Sequence, residues 1–218
     1  MLTVPFENLD IALGRTIICD EQSILHKIVE QRRGGFCYEL NGAFAALLRE
    51  LGFKVTLLSA RVARQDGSYG PEFDHLTLKI DLDEPWLADV GFGDSFLEPL
   101  LLKIDVEQRQ DGRKFRLVEE RGSLHLEMAD PEDWSRQYRF TLTPHQLSDF
   151  VGMCHYHQTS PESSFTQKSI CSRATPDGRI TIANRKLIVT QNGKREESTL
   201  DSDQEWRVAL KTYFGILL

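Results

Sequence analysis

A chain of 218 residues that is 40% hydrophobic and 27% charged is an ordinary globular polypeptide with ample material for a core. Its formal net charge of −7 argues against non-specific nucleic-acid binding, which relies on basic surface. No apolar run approaches the roughly 18–20 residues of a membrane helix and no signal peptide is visible, so a cytoplasmic protein without a membrane partner is expected.

Residues 1–52 read as mainly helical after a short extended start. Asp20 caps a helix holding Ser23, Ile24, Ile28 and Val29, which stops at Gly34-Gly35. A second helix runs from Cys37 to Glu50, since Phe36, Leu40, Phe44, Leu47, Leu48 and Leu51 recur at spacings of three and four. Gly52 is its stop.

Residues 53–143 read as strands: Val55–Val62, His75–Ile80, Trp86–Val90, Phe115–Val118, Leu124–Met128 and Tyr138–Leu142. Turn signals separate them at Asp66-Gly67, Gly91-Phe92-Gly93, Asp111-Gly112 and Arg121-Gly122. Short strands at this spacing predict an antiparallel barrel or sandwich. Residues 144–218 are mixed. A helix is expected from Pro144 to Tyr156, strands over Arg179–Ile182 and Lys186–Thr190, and a last helix from Ser202 to Phe214, capped at Ser202 or Asp203.

The chemistry concentrates at Cys37. Arg32-Arg33-Gly34-Gly35-Phe36-Cys37 puts a thiol where a helix begins, and both the helix start and the arginines are expected to favour thiolate. The other cysteines, Cys19, Cys154 and Cys171, form no CxxC pair with it and fit neither a zinc knuckle nor a disulfide scaffold, so reduced thiols are expected. A nucleophilic cysteine needs a base and a group that orients the base. His75 opens an alternating strand and Asp89 closes another, so adjacent strands can present them together. The competing reading is a surface histidine and an ordinary strand-end aspartate. Cys154-His155-Tyr156-His157 has metal-ligand residue types, but zinc needs three or four convergent ligands and no second cluster accompanies it, so no metal is expected.

The chain resembles the arylamine N-acetyltransferases. Pro5-Phe6-Glu7-Asn8-Leu9-Asp10, Arg33-Gly34-Gly35-Phe36-Cys37-Tyr38-Glu39-Leu40-Asn41-Gly42 and Asp89-Val90-Gly91-Phe92-Gly93 look like its motifs, as do Gln158-Thr159-Ser160-Pro161 and Thr175-Pro176-Asp177-Gly178. They run in the family's order, and the 38-residue step from Cys37 to His75 agrees with it. The resemblance implies an α+β fold with a helical region (1–52), a central antiparallel β-barrel (53–143) and an α/β lid (144–218). Its active-site arrangement is cysteine-protease-like. It implies Cys37 as nucleophile, His75 as base and Asp89 as orienting acid, with no tightly bound cofactor and acetyl-CoA as cosubstrate. The chemistry implied is ping-pong transfer of acetyl to an aromatic amine, hydrazine or hydroxylamine. The N–H of Cys37 is the expected oxyanion donor.

By the same resemblance Phe6, Val62 and Phe92 line the acceptor pocket, although core packing is the commoner fate of such residues. Gly91 and Gly93 let the cosubstrate approach the backbone. Thr159, Ser160 and Ser164 lie in a polar loop expected to border the CoA entrance. Glu39 and Asn41 are expected to buttress the cysteine turn. Relatives usually carry further helices before the equivalent of Pro5-Phe6-Glu7, so apolar surface of the helical region is expected to be uncovered. Two other readings stand beside the first: a thiol hydrolase or transglutaminase-like enzyme, and a non-catalytic paralogue that binds CoA or aromatic ligands.

Overall fold

The computed structural model describes residues 1–110, 112–129 and 133–218; Asp111 of the expected Asp111-Gly112 turn lies outside them. Strand β1 (Phe6–Glu7) leads into helix α1 (Leu9–Ala12). Helix α2 (Glu21–Leu25) continues as a π-helical turn, His26–Glu30, and α3 spans Cys37–Glu50. Then come β2 (Lys54–Val62), β3 (His75–Asp81), β4 (Pro85–Ala88), β5 (Leu100–Leu101) and β6 (Gln108–Gln110). Strands β7 (Arg113–Glu120), β8 (Ser123–Ala129) and β9 (Trp134–Phe140) complete this run. A 3-10 turn, Leu147–Phe150, precedes α4 (Val151–Thr159) and the short α5 (Ser164–Gln167). Strands β10 (Ile170–Thr175), β11 (Gly178–Ala183), β12 (Lys186–Gln191) and β13 (Lys194–Thr199) lead to α6 (Asp203–Phe214).

Local signals account for most helix ends. Asp20 Oδ1 accepts the N–H of Ser23 (2.8 Å), and Ser202 Oγ accepts that of Glu205 (3.1 Å). Gly52 sits just past α3 at φ +89°, and Gly215 ends α6 at φ +72°. The expected first helix is broken: its α-helical part stops at Leu25 and the next turn widens to π geometry.

The expected barrel is a nearly closed antiparallel sheet of eight strands in the order β5-β4-β3-β2-β9-β8-β7-β6. Its two edges meet through side chains rather than a ladder. Gln108 Oε1 accepts Leu101 N (2.7 Å) while its Nε2 donates to Leu101 O (3.0 Å), and Gln110 does likewise for Leu97, Glu98 and the Glu98 carbonyl. These amides satisfy edge groups that would otherwise lack partners. Strand alternation divides the core. Leu58, Ala60, Leu87, Phe115, Leu126 and Tyr138 fill the barrel, while Leu57, Leu76 and Leu78 face outward and pack with Phe36, Tyr38 and Phe150.

The second sheet has the order β1-β10-β11-β12-β13 and packs on α6 through Leu187, Leu210 and Phe214. Strand β1 pairs antiparallel with β10, Phe6 opposite Ser172 and Glu7 opposite Cys171, so the first motif of the chain is built into the sheet of its last third. The stripe of α3 is only partly covered: Leu47 and Leu51 are exposed. Leu47 joins Leu25, Ile28, Val29, Phe44 and Val90 in an apolar surface groove of about 590 Å³. No helix among the described residues is long and apolar enough to cross a membrane.

Candidate active site

The turn before α3 is made tight by two glycines. The carbonyl of Gly35 accepts Glu7 N–H (2.9 Å), binding the turn to β1. A Cβ on Gly34 would sit 2.1 Å from Pro5 O, and one on Gly35 would sit 2.5 Å from Glu39 Cβ, so the approach requires glycine at both. Glu39, at the third position of α3, accepts the N–H of Phe36 through Oε2 (3.1 Å), which holds the helix start. Its Oε1 takes Lys27 Nζ (2.7 Å). Lys27 also reaches Asp10 (2.8 Å), and Arg33 bridges Glu7 (2.8 Å) and Asp10 (3.1 Å). All five charged groups are buried. Burial pushes the Glu39 carboxyl up to about 7 against the pull of Lys27.

This network corrects one expectation about the arginines. Arg33 does not turn toward sulfur; its guanidinium is spent on Glu7 and Asp10, while Arg32 is exposed. The predicted thiolate-favouring effect at Cys37 is also outweighed. Burial pushes the thiol up, and contact with His75 and a backbone hydrogen bond from Leu76 pull it back only in part.

Cys37, His75 and Asp89 are brought together from the start of α3, the start of β3 and the end of β4. Each is at most 3% exposed. His75 Nε2 lies 2.6 Å from Asp89 Oδ2, and the thiol of Cys37 contacts the same imidazole. Burial alone would lower His75, but the Asp89 carboxylate and the neighbouring sulfur raise it to about 10. Burial would raise Asp89, yet His75, Asn41 and the Gly91 N–H hold it below the usual carboxylate range.

The carboxylate is clamped by groups of two kinds. Asn41, expected as a buttress, donates to Asp89 Oδ1 (2.9 Å) and to Leu76 O (2.6 Å), and accepts Val90 N–H (2.9 Å). One amide thereby ties α3 to β3 and to the turn after β4. Tyr138 was not singled out in the sequence. It is fully buried, its hydroxyl neighbours Asp89, and with Phe92 it boxes the imidazole at ring separations of 5.2–5.3 Å. Gly91 packs so closely that a Cβ would fall 2.7 Å from Asn41 Nδ2 and 2.8 Å from Cys37 Cα.

A cavity of about 230 Å³ opens over the sulfur. Phe6, Val62, Gly91, Phe92 and Ser164 line it with Cys37 and His75, and so do Asp74 and Phe165, which the sequence did not flag, and His157, weighed there only as a metal ligand. A signal for His157 was present in Cys154-His155-Tyr156-His157, whose helical spacing turns Cys154 and His157 inward and leaves His155 exposed. A second cavity, about 340 Å³, shares Phe6 and Phe92 with the first and adds Gly93, Thr181, Arg179 and Arg195. Thr159 and Ser160 line neither. Thr159 Oγ1 donates to His155 O (2.8 Å), and Ser160 Oγ accepts Glu162 N–H (3.3 Å).

A buried thiol that lines a cavity beside an imidazole held by a carboxylate can carry an acyl group on sulfur. Residues 1–218 match the family model described as N-acetyltransferase. The arylamine N-acetyltransferase of Escherichia coli K12 is 36% identical over 218 residues, covering 98% of this chain and 78% of that protein. The solved arylamine N-acetyltransferase of Salmonella typhimurium superimposes with a TM-score of 0.92 at 35% identity, covering 98% of this chain and 79% of that one. The Mycobacterium marinum arylamine N-acetyltransferase, solved in complex with CoA, gives 0.89 at 28% identity, with coverages of 99% and 82%. This chain belongs to the arylamine N-acetyltransferase family, a family of acyltransferase enzymes.

Proposed function

We propose that the protein transfers acetyl from acetyl-CoA to arylamines, arylhydrazines or arylhydroxylamines through an acetyl-Cys37 intermediate. The observation that carries this reading is the buried cluster of Cys37, His75 and Asp89, with Cys37 and His75 lining the cavity and Asp89 holding the imidazole from behind. In the first half-reaction the Cys37 sulfur attacks the thioester carbonyl, and the bond to the CoA sulfur breaks. His75, held by Asp89, supplies the proton that CoA carries away. In the second, a neutral amine attacks the acetyl carbon. Its proton passes to His75, the C–N bond forms and the Cys37 thioester breaks.

The N–H of Cys37 is the donor for the oxyanion: it is the first of α3, outside the helical ladder, and helix starts favour negative charge. Phe6, Val62 and Phe92 hold the aryl ring. Gly91 and Gly93 give the cosubstrate access to backbone, and Arg179 and Arg195 of the adjoining cavity offer the cations that its phosphates require. In this reading residues 1–52 supply the nucleophile, 53–143 the histidine and aspartate, and 144–218 a lid. The four cysteines, all free and buried, suit a cytoplasmic setting.

The test is intact mass after incubation with acetyl-CoA. An acetyl adduct is expected on the wild type, absent from Cys37→Ala and discharged by an aromatic amine. A folded wild type that takes no adduct sinks the proposal, and discharge by water as fast as by amine assigns a hydrolase.

A further inference from the structure

A second imidazole–carboxylate pair, outside the triad, lines the cavity over Cys37. His157 comes from α4 and is 7% exposed. Its Nδ1 meets Ser163 Oγ at 3.2 Å. Its Nε2 is buried without a hydrogen-bond partner among the described residues, although Asp74 Oδ1 lies 3.3 Å away, because the two are not aligned for a bond. Asp74 itself is fixed: its Oδ2 accepts Val62 N–H (3.3 Å), and it packs against Gly70, where a Cβ would fall 1.9 Å from that oxygen. The imidazole is fixed too, by edge contact with Phe165 at 5.2 Å and by Tyr38 at 6.1 Å. A buried polar nitrogen left unmatched is costly unless something completes it. Here His157 and Asp74 line one space together with Cys37, His75, Gly91 and Ser164 and the apolar side chains of Phe6, Val62, Phe92 and Phe165.

The geometry points to His157 and Asp74 as the specificity determinant of the acceptor site: together they take a neutral hydroxyl on the aryl ring, away from the reacting nitrogen. This rests on the acyl-transfer reading above. A hydroxyl is donor and acceptor at once: with the ring hydrogen on Nε2, and Nδ1 turned to the Ser163 hydroxyl, it accepts from the imidazole and donates to the carboxylate. A methyl of similar size leaves both groups unmatched, and a carboxylate there meets Asp74 with like charge. The pair reads one end of the ring while Cys37 and His75 act at the other.

Three acceptors test this: 4-aminophenol, 4-methylaniline of similar size and similar amine reactivity, and 4-aminobenzoate. In the wild type, kcat/KM for 4-aminophenol is expected to exceed that for each of the others by about tenfold or more, mainly through KM. His157→Leu and Asp74→Asn are each expected to bring the 4-aminophenol to 4-methylaniline ratio within about threefold of unity. Circular dichroism checks their folding. If His157→Leu does not fold, Asp74→Asn and the wild-type ratios decide. A wild-type ratio near unity overturns the inference, as does a preference that survives in the folded variants. An acetyl adduct on wild-type Cys37 together with such ratios overturns the specificity inference alone, whereas absence of the adduct overturns the acyl-transfer reading and this with it.

Discussion

Replacing Asn41 by alanine tests how the site is held together. The amide is fully buried and makes three bonds: to Leu76 O at 2.6 Å, to Asp89 Oδ1 at 2.9 Å and from Val90 N at 2.9 Å. Alanine removes all three and brings no substitute. Leu76 O and Val90 N–H lose this partner inside the protein, and Asp89 keeps only part of its donor set. At about 1–3 kcal/mol for each of these two unmatched groups, the expected loss is about 2–6 kcal/mol. That is a large part of the roughly 5–15 kcal/mol that keeps a domain folded. The same change loosens Asp89 and, through it, His75. A small misplacement of reacting groups costs on the order of 10²-fold in rate. Urea unfolding followed by circular dichroism reads the first effect, and the time course of acetyl-adduct formation reads the second. Asn41→Asp serves as a companion: it places a carboxylate against Asp89, so its acylation defect should exceed that of alanine at neutral pH. A destabilisation below about 1 kcal/mol with acylation within twofold of wild type would refute the assignment of Asn41 as the clamp.

The remaining predictions concern charge and close packing. Lys27→Met leaves Glu7, Asp10 and Glu39 with Arg33 as their one buried cation, Arg15 reaching Asp10 only from the surface, and a loss of about 3–5 kcal/mol is expected at pH 8. Glu39 is raised in the folded state to about 7, so its contribution to stability is present below its unfolded value of 4.5 and is lost as pH rises through 7. Removing Lys27 raises it further, so the deficit should shrink at pH 5.5; equal deficits at both pH values would rule this out. Asp89→Asn removes the charge that holds His75 up, leaving burial to lower the imidazole, so that a neutral His75 no longer pulls the Cys37 thiol down and only the Leu76 bond still opposes burial there. The pH profile of Cys37 alkylation by iodoacetamide should move to higher pH, and superimposable profiles would defeat the coupling. Gly91→Ala should cost about 1–3 kcal/mol and slow acylation, since its Cβ meets Asn41 and Cys37. Gly152→Ala on α4, where a Cβ meets nothing within 4 Å, should be neutral or gain up to about 1 kcal/mol in thermal unfolding. Matching losses at the two glycines would contradict the packing argument.

What could be read from the chain was whatever is written in neighbouring residues. The period of α3, the caps at Asp20 and Ser202, the stop at Gly52 and most barrel strands follow from spacing and turn chemistry. Cys37, His75 and Asp89 were legible as candidates because each falls at the end of a regular element, and the motifs around them carried the family. The edge strands β5 and β6 were not legible, being two and three residues long and completed by the side chains of Gln108 and Gln110. Nor was β13, whose residues are all exposed, so that no apolar alternation marks it.

The tertiary structure alone decided what surrounds the chemistry. Arg33 and Cys37 are four positions apart, yet the arginine folds back onto Glu7 and Asp10 because those carboxylates arrive with β1 and α1. Whether Cys37 feels cations or burial depends on that path, and burial dominates. Asp74 follows β2 and precedes β3, His157 lies on α4, and only the packing of α4 beside the barrel places them on one wall of the cavity. Sequence marked the three candidates, because local order sets which residues begin and end elements. The fold decided their charge environment and the shape of the cavity beside them, because both arise from residues distant in the chain and close only in space.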